Sequence, residues 1–117
     1  MANRRIERVN EQIKEEVAAL LQREMHDPRL RGMISITGVD TSPDLRNATV
    51  RVSIMGSEED VQQAMTALRH AAGFLRREVA SRLRLRHMPE LTFRLDTSIE
   101  RGARVLEILR EIHEEEG

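Results

Sequence analysis

Three stretches of this 117-residue chain alternate apolar and polar residues at a period of two. Met33-Ile34-Ser35-Ile36-Thr37-Gly38-Val39 is the first. In the second, Ala48, Val50, Val52 and Ile54 alternate with Thr49, Arg51 and Ser53, and in the third Leu91, Phe93 and Leu95 alternate with Thr92, Arg94 and Asp96. Such a pattern reads as strands with one buried face. A sheet of this kind needs helices over one side only and leaves the other to water.

The segments between these strands supply the helices. Ile6, Val9, Ile13, Val17, Leu20 and Leu21 fall within roughly 120° of a helical wheel, so a long first helix is expected from near Arg4. Pro28 should stop it, because Asp27 before a proline is pushed out of helical geometry. Ser42-Pro43-Asp44 is a turn signal between the first two strands. Gly56 closes the second strand, and Ser57 is the expected N-cap of the next helix, with Glu58, Glu59 and Asp60 at its positive end. Val61, Leu68, Leu75 and Val79 line one side of that helix. Pro89 marks a break before the third strand. Asp96-Thr97-Ser98 then caps a helical segment containing Ala103, Leu106, Leu109 and Ile112, and Glu114 to Gly117 is expected to fray. The pattern predicts one α+β domain over residues 1–98 and a C-terminal helical tail over 99–117.

Composition narrows the function. The only aromatics are Phe74 and Phe93, both on apolar patterns, so they are expected in the core. There is no cysteine, which excludes disulfides, zinc knuckles and thiol catalysis. No run of about 18 apolar residues exists to cross a membrane. Met-Ala-Asn-Arg-Arg at the start is no secretion signal, so a cytoplasmic location is expected, and Asn47-Ala48-Thr49 is then a chance sequon. His26, His70, His87 and His113 show no metal-ligand spacing. Asp27, Asp44 and Asp96 fall at a helix end, a turn and a cap, where aspartate has local structural work. No phosphate loop, nucleophile elbow or dinucleotide fingerprint is present. No enzyme activity and no cofactor are expected.

Formal net charge is -1, but the charges are segregated. Between Arg69 and Arg86 lie six arginines and one acid, Glu78, for a local +5; from Glu100 to Gly117 three arginines and six glutamates give -3. Local field governs polyanion binding more than the average does. On the wheel, Leu68, Ala72, Leu75 and Val79 cluster within roughly 60°, while Arg69, Arg76, Arg77 and Arg84 lie about 80° to 180° away. Arg82 falls near the apolar stripe, so the helix should have ended or shifted phase by then. A solvated charged face is the ordinary reading of an arginine stripe. The lack of compensating acids argues for more, since the first helix does mix signs through Glu7, Glu11, Lys14, Glu15 and Glu16. Gly73 stands in the middle of the stripe at a cost of roughly 1 kcal/mol relative to alanine. It suggests a bend or a close approach of backbone, by a neighbouring element or by a negatively charged partner.

Several local sequences together resemble a known family. They are Arg8-Val9-Asn10-Glu11-Gln12-Ile13, Asp27-Pro28-Arg29-Leu30, Ser42-Pro43-Asp44-Leu45-Arg46, Ala71-Ala72-Gly73-Phe74-Leu75-Arg76, Leu85-Arg86-His87-Met88-Pro89-Glu90-Leu91 and Asp96-Thr97-Ser98-Ile99-Glu100. In order and across nearly the whole chain they resemble the bacterial ribosome-binding factor A family. The resemblance implies a type II KH-like fold, helix-strand-strand-helix-helix-strand, with an Ala-x-Gly kink between its two middle helices that matches Ala71 and Gly73. It implies a non-enzymatic monomer that binds the small (30S) ribosomal subunit late in assembly, through 16S ribosomal RNA and small-subunit proteins, and supports growth in the cold. The glycines at 32, 38, 56, 73, 102 and 117 contain no G-x-x-G pair, so the usual KH clamp on single strands is absent. Longer members carry a basic C-terminal extension, whereas residues 100–117 are acidic in this chain.

With no aromatic platform for splayed bases, RNA contact is expected to run through phosphates and shape, for which arginine's planar fork is suited. Arg76, Arg77, Arg82, Arg84 and Arg86 form the expected main contact, with Arg69 at its margin. Arg4, Arg5 and Arg8 are a second patch, and Arg46 in the turn a third. The alternative is a protein–protein adaptor without direct RNA contact, docking through strand edges or the acidic C-terminal helix.

Overall fold

The computed structural model describes residues 4–23 and 33–116. The helix stop expected at Asp27-Pro28, the sequence Asp27-Pro28-Arg29-Leu30 and His26 lie outside the described residues. The elements run α1 (Arg4–Arg23), β1 (Met33–Thr41), β2 (Asn47–Met55), α2 (Glu58–Leu83), β3 (Glu90–Leu95) and α3 (Ser98–Glu116). This is the expected α+β order.

The sheet has the order β1-β2-β3. β1 and β2 pair antiparallel, with an irregularity between Ile36 and Gly38. β2 and β3 pair parallel, Val50 opposite Phe93 and Val52 opposite Leu95. A parallel pair needs a long crossover, and α2 provides it. Ala48, Val50, Val52 and Ile54 of the central strand are all buried, as are Leu91 and Phe93 of β3. On α1 the buried residues are Val9, Ile13, Val17 and Leu20, and on α2 they include Leu68, Ala71, Leu75 and Val79. Both helices therefore cover the apolar face, as the periodicities require. Thr49, Arg51, Ser53, Thr92 and Arg94 are not buried, which leaves the opposite face to polar groups.

α2 begins at the expected cap. The Ser57 hydroxyl accepts from the Asp60 amide at 3.1 Å, and the Asp60 carboxylate accepts from the Ser57 amide at 3.0 Å. Gly56 just before it has φ +146°, and a Cβ there would lie 2.9 Å from the Asp60 carboxylate, so the turn into the cap needs glycine.

Two expectations change. α2 is continuous across Ala71 and Gly73, so the two halves expected on either side of a kink form one helical element. Nothing crowds that position: a Cβ on Gly73 would meet only the end of the Arg77 side chain, at 3.6 Å. The helix also runs through Arg82 to Leu83 and stops at Arg84, whose φ of 50° places it in the left-handed region. Arg82 lies near the apolar stripe because that edge of α2 meets α1, where its guanidinium reaches Glu16 at 3.6 Å; within α2 it also pairs with Glu78 at 3.1 Å. Long side chains of this kind bury their stems along a seam and keep the charged end outside. α3 extends to Glu116.

Candidate nucleic-acid interface

All ten candidate arginines are exposed. On α2, Arg69, Gly73, Arg76 and Arg77 follow at i, i+4, i+7 and i+8, the spacing of one helical face. Arg77 folds its guanidinium back over the gap that Gly73 leaves.

Arg76 does something the pattern does not reveal. Its Nη2 donates to the Met88 carbonyl at 2.8 Å and its Nε to the Pro89 carbonyl at 3.2 Å. It holds the segment from Arg84 to Pro89 onto α2, and Pro89 is fully buried. Arg82 is likewise engaged, with Glu16 and Glu78. Arg69, Arg77, Arg84 and Arg86 make no side-chain hydrogen bond or ion pair among the described residues.

The turn between β1 and β2 brings in Arg46. Asp44 organises it: its carboxylate accepts from the Ser42 hydroxyl at 2.7 Å and the Arg46 amide at 3.1 Å. The Ser42 hydroxyl, then the Arg46 amide, hold this carboxyl below its ordinary range. Leu45 takes φ 62° to close the turn, a left-handed conformation uncommon for a residue with a bulky side chain. The Glu90 amide donates to the Arg46 carbonyl at 2.9 Å, tying the turn to the start of β3.

These segments meet at one end of the molecule. A cleft of about 640 Å³ is lined by Asp44, Leu45, Arg46, Asn47, Arg76, His87, Met88 and Glu90. A smaller hollow of about 60 Å³ adjoins it and is lined by Arg5, Val9, Leu45, Leu85, Arg86, His87 and Pro89. Leu45 and His87 belong to both. The three patches expected separately from the sequence are thereby joined: Arg5 from α1, Arg46 from the turn, and Arg76 and Arg86 from α2 and the link that follows. Arg4 and Arg8 sit beside Arg5 on α1 without lining either hollow, and Arg69 and Arg77 extend along α2.

His87 and Asn47 line these hollows without being among the candidate residues. The sequence offers His87 as a histidine without metal-ligand spacing, within the Leu85–Leu91 stretch, and Asn47 as part of a sequon; only the folded chain sets them in the hollows with Arg46, Arg76 and Arg86. Among the described residues no group of histidine, aspartate or glutamate could hold a metal ion. None of the described helices is long and apolar enough to cross a membrane.

The open face of the sheet carries a second charged cluster, in which acids and arginines pair. Arg51 pairs with Asp40 at 2.9 Å and with Asp96 at 3.6 Å. The Thr37 hydroxyl donates to Asp96 at 2.6 Å and the Ser98 amide does so at 2.9 Å. The Thr37 and Ser98 bonds, with Arg51 adding to them, pull the Asp96 carboxyl down to about 2. The hollow around this cluster also holds Arg94 and Arg101, three arginines against two acids, whereas at the α2 end Arg5, Arg46, Arg76 and Arg86 face only Asp44 and Glu90, and Asp44 is committed to its turn.

Comparison with known proteins agrees with this architecture. A family model described as ribosome-binding factor A matches residues 5–109. Ribosome-binding factor A of Acetivibrio thermocellus is 50% identical over 107 residues, spanning 92% of this chain and 87% of that protein. The factor of Carboxydothermus hydrogenoformans is 50% identical over 117 residues, spanning 100% and 93%. The crystal structure of ribosome-binding factor A from Thermus thermophilus superposes with a TM-score of 0.68 at 30% identity, covering 77% of this chain and 94% of that one. A homology model of the Thermus thermophilus factor, fitted into a cryo-EM map of its 30S complex, gives a TM-score of 0.63 at 31% identity, covering 75% and 91%. With the fold shared and a family model spanning almost every residue, the chain belongs to the ribosome-binding factor A family.

Proposed function

We propose that this protein binds the small ribosomal subunit during late maturation of its 16S RNA, and that it does so through the arginine-rich end built by α1, the β1–β2 turn and the α2–β3 link. The observation that carries this reading is the convergence of Arg5, Arg46, Arg76 and Arg86 around one pair of clefts, continued along α2 by Arg69 and Arg77. Family membership supports it, as does the likeness to a relative fitted into a 30S complex. The protein acts by binding and shape, without catalysis. Arginines grip phosphates in pairs of parallel hydrogen bonds, and an exposed stripe free of acids suits the backbone of folded RNA better than splayed bases, for which the chain has no aromatic platform.

The test is co-sedimentation with small subunits at several salt concentrations, with large subunits as control. Arg77→Glu/Arg84→Glu is the appropriate variant, because neither side chain supports the fold. The reading expects selective binding to small subunits. It expects that the double change will weaken binding and reduce the slope of log affinity against log salt by roughly 2 or more. Wild-type affinity in that variant, with the fold intact, would remove this surface from the reading.

A further inference from the structure

No described side chain of α3 joins the buried core. Every described side chain from Glu100 to Glu115 is exposed, yet Val105, Ile108, Leu109 and Ile112 stand 55%, 40%, 56% and 46% exposed along one side, with Leu106 at 65% beside them. Their spacing is i, i+3, i+4 and i+7, the anchor pattern of a helix that lies in an apolar groove of a partner. A contiguous apolar stripe in water marks an interaction surface, while scattered single exposures do not.

Charge selects the partner. The tail from Glu100 onward carries -3; Glu111 and Glu115, one turn apart, border the stripe with Arg104 between them on the wheel, and Arg104 is itself paired with Glu107 at 3.0 Å, while Arg101 continues the line of the stripe towards the start of the helix. RNA phosphates are repelled by such a helix. A second copy fits poorly: it would bring a second net-negative helix alongside, over 19 residues, about two and a half heptads, which is marginal for an isolated helix pair.

We propose that α3 docks, through Val105, Ile108, Leu109 and Ile112, into an apolar groove rimmed by lysine or arginine on a protein of the small ribosomal subunit. The inference rests on the subunit-binding reading above and deepens it: the arginine end holds RNA, and the acidic helix holds a basic protein on the same particle. Two contacts of opposite chemistry on one particle raise the effective concentration of each for its site.

The test uses the full-length protein and purified small subunits. A photocrosslinking amino acid at position 109 should give an adduct mapped by mass spectrometry to one small-subunit protein. Leu109→Glu/Ile112→Glu should lower subunit affinity about tenfold or more with no change in melting temperature or in affinity for naked ribosomal RNA. Glu111→Lys/Glu115→Lys, which leaves the stripe intact, should also weaken binding. Wild-type affinity in both variants, an adduct to RNA, or an adduct to a second copy would each overturn the proposal. Failure of the RNA reading is separately visible, because Arg77→Glu/Arg84→Glu would then leave naked-RNA binding unchanged.

Discussion

Gly73→Ala should make this protein more stable and a poorer binder at once. The residue lies inside α2, with no positive φ. A Cβ built on it meets only Nη1 of Arg77 at 3.6 Å, ordinary van der Waals contact with the movable end of a side chain. Nothing in the fold therefore requires glycine, and alanine should recover the helix-propensity difference of about 0.8–1 kcal/mol. For a chain of this size that corresponds to a rise in melting temperature of roughly 3–6 °C, measurable by circular dichroism. The glycine opens the exposed face between Arg69 and Arg77, where a partner's backbone can approach the helix. Filling that gap should weaken small-subunit binding in the co-sedimentation assay although the arginines are untouched. A fall in melting temperature would refute the structural reasoning, since it would mean that the helix is bent or crowded at this point. Raised stability with unchanged affinity would refute the functional half and leave Gly73 without a role in binding.

Other perturbations separate structural from contacting groups. Arg76→Gln removes charge-assisted bonds to the Met88 and Pro89 carbonyls and should destabilise by about 1–2 kcal/mol, visible in chemical denaturation, whereas Arg77→Gln should leave the midpoint unchanged. Asp96 has a folded-state value of about 2 against an ordinary 3.8. Its contribution is therefore complete above about pH 4 and lost as pH falls from there through about 2. Asp96→Asn should lower the melting temperature at neutral pH and flatten its dependence on pH across that window. Gly38 lets Arg51 lie across β1, since a Cβ there would sit 2.8 Å from the Arg51 Cζ. Gly38→Ala should cost roughly 1 kcal/mol by displacing Arg51 from Asp40 and Asp96, and should cost little in an Arg51→Ala background, a non-additivity that a double-mutant cycle measures.

What the sequence made legible is what depends on near neighbours. Alternation identified the buried face of β2 residue by residue, because a strand's side chains must point to opposite sides whatever surrounds it. The Ser57 cap was legible for the same reason, its partner Asp60 being three residues away. Element ends were less so. β1 runs on to Thr41, where Asn10 of α1 accepts from both the amide and the hydroxyl, at 2.9 Å and 2.5 Å; no window around Thr41 contains that partner.

The arginines show the same division more sharply. Periodicity correctly placed Arg69, Arg76 and Arg77 on an exposed face, but exposure does not determine whether a cation is available to a ligand. Arg76 and Arg77 are neighbours in the chain and both exposed, yet Arg76, at the edge of the apolar stripe, is bound to the backbone of the following link, while Arg77, on the opposite side of the helix, is not. Arg82, which the wheel makes an anomaly, is explained by a glutamate on another helix. The partner of a side chain is set by tertiary contacts, and these also bring Arg5, Arg46 and Arg86 to one end from three separate segments. A charge count along the chain finds a basic segment. Only the fold shows that Arg76 and Arg82 are engaged within the protein while Arg77, Arg84 and Arg86 make no side-chain hydrogen bond or ion pair among the described residues, so binding and stability should respond to different arginines of the same stripe.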